Sequence, residues 1–192
     1  MTCLPRTRGS VGRPARPLSW QAFTLIELLT VITIIGILSG IVIGVGRHAA
    51  ESGKVARAQV EMASISTALE SYKRQCGDYP RTASAPQLLQ ALMGKLGPTL
   101  TPLNPSGRVL LDMALFTTDG AGDPLTDSSL SLADPWGNPY RYAFKVTGGG
   151  WTNSSFVLYS IGPDEQADQN LAPGGYPHRE LPLNLDNIYA NF

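Results

Sequence analysis

Cysteine and histidine are scarce: the 192-residue chain holds two of each. Cys3, Cys76, His48 and His178 are scattered, with none of the spacings that hold zinc. Cys76 has no neighbouring base in sequence that would make it a nucleophile, and it reads as a small half-buried side chain at a helix end. A Gly-rich phosphate loop with its Lys is missing, and so is a nucleophile elbow. These absences point away from an enzyme. Acidic residues are missing from residues 1–22, which carry Arg6, Arg8, Arg13 and Arg16. Charge of either sign is missing from Leu28 to Gly46.

That charge-free run is 19 residues long. At about 1.5 Å per residue it makes a helix of roughly 28 Å, close to the ~30 Å hydrocarbon core of a bilayer. Positive charge ahead of an apolar span keeps that end cytoplasmic. Pro5, Pro14 and Pro17 argue against a folded leader. A secretory signal peptide would be cut after a shorter apolar stretch. Glu27 stands at the mouth of the span, where a carboxylate is costly unless it finds a partner. The partner that suits it is an amine. An ordinary signal anchor, with Glu27 among lipid headgroups, is the plainer alternative.

The string Phe23-Thr24-Leu25-Ile26-Glu27-Leu28-Leu29-Thr30-Val31-Ile32, followed by Ile34-Ile35-Gly36-Ile37-Leu38, resembles the N-terminal signature of prepilins and pseudopilins. These are the class III signal proteins of type IV pili and type II secretion systems. The resemblance implies that a membrane prepilin peptidase cuts between Ala22 and Phe23 and methylates the new α-amine. The family usually has Gly where this chain has Ala22, so slower processing is expected. A methylated amine keeps its positive charge. In a filament it can pair with Glu27 of a neighbouring subunit, and such pairs serve register better than stability. Without the leader, 11 basic residues face 15 acidic ones, about −4 overall. That disfavours a nucleic-acid partner. It also leaves Cys76 with no partner for a disulfide.

Past the span, Val55, Ala58, Met62, Ile65, Leu69 and Tyr72 recur at alternating spacings of three and four, an amphipathic helical stripe. Gly77, Asp78 and Pro80 end it. The expectation is one helix from Phe23 to about Cys76. Residues 23–46 would form the transmembrane and filament-core part and 47–76 its amphipathic continuation. Gly36, Gly40, Gly44 and Gly46 permit close helix packing or a place to loosen. Gly44 holds the position at which many family members carry a helix-breaking Pro.

Residues 77–192 read as one globular head. Gly77-Asp78-Tyr79-Pro80 resembles the Gly-x-Tyr-Pro of major pseudopilins, and Gln87 to Lys95 reads as a short helix. Residues 97–131 read as a variable region with one element near Val109–Phe116. Asp134-Pro135-Trp136-Gly137-Asn138-Pro139-Tyr140 is a turn that leads into a strand over 141–146. A second strand covers 155–160, making an antiparallel hairpin. The turn and the closing Tyr-Ser-Ile-Gly-Pro-Asp resemble the C-terminal region of major pseudopilins. Trp136 is expected in the core. In the loop 161–192 the family places calcium. The resemblance puts Asp164, Asp186 and Asn187 there, with Glu165 and Asp168 nearby. Calcium takes six to eight hard oxygens. One family Asp is Asn187 here and the loop is longer, so the acids could equally be solvated.

The reading is a pilin-like α+β fold, a long N-terminal helix packed on a small antiparallel sheet. The implied function is that of a structural pseudopilin. It would be anchored by a single pass in the inner membrane with a periplasmic head, and would polymerise into a periplasmic filament. Implied partners are the prepilin peptidase, other copies, minor pseudopilins and the inner-membrane assembly platform. The alternatives are a type IV pilin serving adhesion, motility or DNA uptake, or a membrane-anchored periplasmic enzyme or binding protein.

Overall fold

The computed structural model describes residues 23–103, 107–146, 151–168, 171–172 and 174–190. The first element is helix α1, Leu25–Cys76. Thr24 sits at its N-cap and Glu27 at its third position. The Thr24 N–H and hydroxyl both donate to Glu27 Oε2, at 2.8 and 2.7 Å, and the Glu27 N–H donates back to the Thr24 hydroxyl at 3.3 Å. This is a capping box, which satisfies amides that otherwise lack helical partners. The chain divides into two compact units, one ending at Gly44 and the next beginning at Val45.

In the first unit every residue from Phe23 to Ile43 is exposed. The hydroxyls of Thr30 and Thr33 donate to the carbonyls of Ile26 and Leu29, both at 2.8 Å. No polar group of these two side chains is left bare, as a hydrocarbon environment demands. So long an apolar exposed surface needs lipid or other helices around it.

In the second unit α1 turns amphipathic. Ala58, Met62, Ile65, Leu69 and Tyr72 are all buried, so the three-and-four spacing does mark the packed face. Gly77 ends the helix with φ +89° and an N–H donated to the Lys73 carbonyl at 2.8 Å. Only glycine takes that left-handed cap without penalty. Helix α2 spans Ala85–Leu92, two residues ahead of the expected Gln87 start, because Pro86 is tolerated in its first turn. It stops before Gly94, which has φ +77°.

Strand β1, Thr117–Thr118, pairs antiparallel with β2, Leu132–Ala133. Strand β3, Arg141–Ala143, pairs antiparallel with β4, Val157–Ser160. The hairpin expected over 141–146 and 155–160 is therefore present in shortened form. Residues 147–150 between its strands lie outside the described residues. A third strand, β5 (Ile188–Tyr189), pairs with β4 and gives the order β3-β4-β5.

All of β4 is buried because both sheet faces are covered. Phe156 and Leu158 join Tyr142, Tyr140 and Phe144 in the cluster shared with α1 and α2. Val157, Tyr159 and Ile161 form a second cluster under Tyr176 and Tyr189 of the C-terminal segment. The period of two sorts adjacent residues into different cores. Within the variable region, a 3-10 turn at Met113–Leu115 flanked by buried Leu111 and Phe116 accounts for the apolar run.

Burial holds several tyrosines neutral. Tyr159 is pushed up to about 12, chiefly by desolvation and opposed by Arg141. Tyr140 and Tyr142 move the same way, again from burial first. A raised folded-state value favours the neutral form, so the contribution is complete below about pH 10, the unfolded value. It is lost as pH rises through 12. For Tyr159 alone this amounts to about 2–3 kcal/mol. Thermal melts of the chain in detergent are expected to hold steady to pH 9.5 and fall steeply from 10 to 12. A flat profile across that range would contradict the buried tyrosine core.

Candidate functional site

Three arrangements lie where the sequence places function. At the N-terminal end, Glu27 is held by Thr24 through the capping box, so its carboxylate already has a local partner in the single chain. Ala22, on the other side of the expected cut, lies outside the described residues; Phe23 is exposed.

The second arrangement joins the two C-terminal strings. Asp134 is buried. Its Oδ1 accepts the N–H groups of Trp136 and Asn138, at 3.0 and 2.9 Å, and builds the turn ahead of β3. Its Oδ2 accepts the Ser160 hydroxyl at 2.5 Å. The Ser160 oxygen accepts the Gly162 N–H at 3.2 Å. One carboxylate thereby locks the Asp-Pro-Trp-Gly turn to the exit of β4. Trp136 is not in the core, contrary to expectation. It is half-buried, and its indole N–H donates to Glu51 Oε1 of α1 at 2.5 Å, with Lys54 Nζ 5.8 Å from the ring. The polar edge of an indole favours such a position, with one side packed and one side bonded.

The third arrangement is the tail. Gly162 has φ +76°, and a Cβ there would lie 2.5 Å from the Asp186 carbonyl oxygen. The Asp164 N–H donates to Asp186 Oδ2 at 3.0 Å, and Asp164 Oδ1 accepts the Gln166 N–H at 2.8 Å. The structure thus brings Asp164 and Asp186 together, with Asn187 next in chain. Asp168 is tied instead to Asn184 and His178, its N–H donating to Asn184 Oδ1 and its Oδ2 lying 3.0 Å from His178 Nδ1. Asp186 Oδ1 and Asn187 Oδ1 are buried without a hydrogen-bond partner. Two orphaned acceptor oxygens suit a hard cation. Among the described residues no group of three or more His, Cys, Asp or Glu is placed to hold a metal. The fit therefore rests on one or two carboxylates supplemented by amide and backbone oxygens.

The family model of the prokaryotic N-terminal methylation motif matches residues 21–43. The type II secretion system core protein G of Pseudomonas aeruginosa is 35% identical over 144 residues, 75% of this chain and 84% of that protein. Core protein G of Escherichia coli is 31% identical, over 75% and 82%. The chain belongs to the major pseudopilins of type II secretion. The toxin coregulated pilin of Vibrio cholerae is more distant, 25% identical over 70% of the pseudopilin and 54% of its own length. No solved structure matches significantly.

Sequence reasoning missed Glu61 in the pseudopilin. It is 5% exposed, accepts the buried Tyr140 hydroxyl at 2.6 Å and pairs with Arg57 Nε at 2.6 Å. The signal was a charge on the apolar stripe, one residue before Met62. Removing either Glu61 or Tyr140 strands the other's buried polar group, at a cost of about 1–3 kcal/mol.

Proposed function

We propose that the chain is cut ahead of Phe23 and methylated on the new amine. It then rests in the inner membrane on α1 with its head periplasmic, and polymerises into the filament of a type II secretion apparatus. The reading rests on one observation above the others: a methylation motif whose single carboxylate opens an apolar helical stretch that is exposed from Phe23 to Ile43. Such a helix can be sheltered by lipid before assembly and by sister helices after it. The work done is binding and not catalysis. Its implied partners are the prepilin peptidase, other copies, minor pseudopilins and the assembly platform. Co-expression with the peptidase and platform is expected to give sheared filaments by electron microscopy. Their absence, with the chain made and processed, would favour the pilin reading or a non-filament role.

Calcium belongs to the same proposal. Asp186 Oδ1 and Asn187 Oδ1 would supply two oxygens, with Asp164 a further carboxylate. Calcium would give these buried acceptors the partner they lack. Binding to the folded state alone stabilises it by about 2.7 kcal/mol at a hundredfold excess over Kd. Calcium is expected to raise the melting temperature of the chelator-treated chain, and Asp186→Ala is expected to abolish the rise. A melting temperature indifferent to calcium would remove the cation from the account.

A further inference from the structure

At the C-terminal end of α1 lies a groove of about 400 Å³ lined by Ser71, Arg74, Gln75, Arg108, Val109 and Leu110. Arg74 and Arg108 are exposed. Arg74 donates to the Ser71 hydroxyl at 2.9 Å. Among the described residues the ion pairs are made by Arg57, Arg81, Lys145 and His178, and neither groove guanidinium takes part. Val109 adds an exposed apolar edge.

The complement is in the same chain. Residues 109–140 contain five Asp and no Lys, Arg or His. Asp134 is consumed inside the head and Asp112 caps the 3-10 turn. Asp119 accepts the Ser131 N–H and hydroxyl with its two oxygens, which leaves Asp123 and Asp127 in the turn between β1 and β2. That turn is held in shape from α2 and the residues after it. Lys95 Nζ donates to the carbonyls of Pro124 and Leu125, at 3.2 and 2.5 Å, and the Gln90 amide donates to the Asp127 carbonyl at 3.3 Å. Asp123 Oδ1 accepts the Leu125 N–H at 2.9 Å, and Leu125 stands 55% exposed at the tip. A shaped turn loses little freedom on docking. No Asp of this turn pairs with Arg74 or Arg108 within the chain, so both charges stand open to a second copy.

We propose that the arginine groove receives the 119–127 turn of a second copy, with Asp123 and Asp127 facing Arg74 and Arg108 and Leu125 covering Val109. The proposal rests on the polymerisation reading. Each copy offers one groove and one turn, so the contact is head-to-tail, and on the polymerisation reading it propagates as a helical filament instead of closing into a ring. Complementary charge of this kind fixes partner and register more than affinity.

The test uses the full chain in cells that carry the peptidase and assembly platform. Gln75→Cys and Thr126→Cys are combined in a Cys76→Ala background, and sheared filaments are oxidised. A ladder of cross-linked multimers is expected from the double variant and none from either single one. In parallel, Asp123→Asn with Asp127→Asn keeps the Oδ1 acceptors that shape the turn and removes only charge. Filament yield is expected to fall several-fold. Arg74→Gln with Arg108→Gln should match it, and the four changes together should cost little more than two, since they remove one interaction. Normal filaments without a ladder, and with full yield from both charge-removed variants, would overturn the contact and leave the polymerisation reading standing. No filaments from the unaltered chain would overturn both.

Discussion

Replacing Glu27 with leucine is expected to leave the pseudopilin cut and membrane-inserted but unable to polymerise. In the single chain the carboxylate accepts both donors of Thr24. Losing that cap costs about 1 kcal/mol of helix stability, too little to prevent folding of a helix set by its apolar length. The large effect comes in the filament. On the proposed reading the amine of Phe23 leaves water there, and without Glu27 it would be an uncompensated buried charge. Breaking such a pair costs about 3–5 kcal/mol, or roughly two to four orders of magnitude in each association constant. Glu27→Gln keeps an acceptor for Thr24 and loses the charge. It should assemble as poorly as leucine if pairing governs, and nearly normally if capping does. Immunoblots of sheared filaments against membrane-bound subunit separate the two. Glu27→Leu filaments at normal yield would contradict the pairing argument.

The second large effect is expected at Gly162. Its φ of +76° places the backbone where alanine is strained, and an added Cβ would lie 2.5 Å from the Asp186 carbonyl oxygen, a backbone atom that cannot swing aside. The strain is worth about 1–3 kcal/mol and the overlap a similar amount. The penalty falls on the docking of the tail, which carries β5. Gly162→Ala is expected to lower the melting temperature of the chain by roughly 10 °C or more. It should also raise hydrogen exchange at Ile188 and Tyr189, which pair with β4, while the α1 amides from Ala58 to Tyr72 stay protected. Uniform loss of protection across α1 would mean that the tail and the stem unfold as one body.

The parts legible in the sequence were those with a long period or a strong local signal. The apolar run, the stripe through Tyr72 and the Gly77 cap all declared α1. Turn chemistry at Asp134–Asn138 declared the β3–β4 hairpin. What escaped was short or non-local. Strand β5 is two residues long, and Ile188-Tyr189 has no alternation to read; the metal-loop reading of the tail hid it. Trp136 was expected in the core because large aromatic side chains usually are, but its partner Glu51 lies 85 positions away. Glu61 drew no notice because its partner Tyr140 lies 79 positions away. The capping role of Thr24 is readable from its three-residue spacing to Glu27, but a carboxylate at the mouth of an apolar span equally suits a partner outside the chain.

At the tail, sequence and structure agree on neighbours and differ on grouping. Asp164 and Asp186 meet through a backbone N–H, while Asp168 turns to Asn184 and His178. A longer loop gave the acids more than one way to be satisfied.

The intact mass of the protein, purified from cells bearing the prepilin peptidase, tests the central claim most directly. A chain beginning at Phe23 and heavier by one methyl group is expected. A chain that retains its leader, or is cut beyond the apolar span, would contradict it.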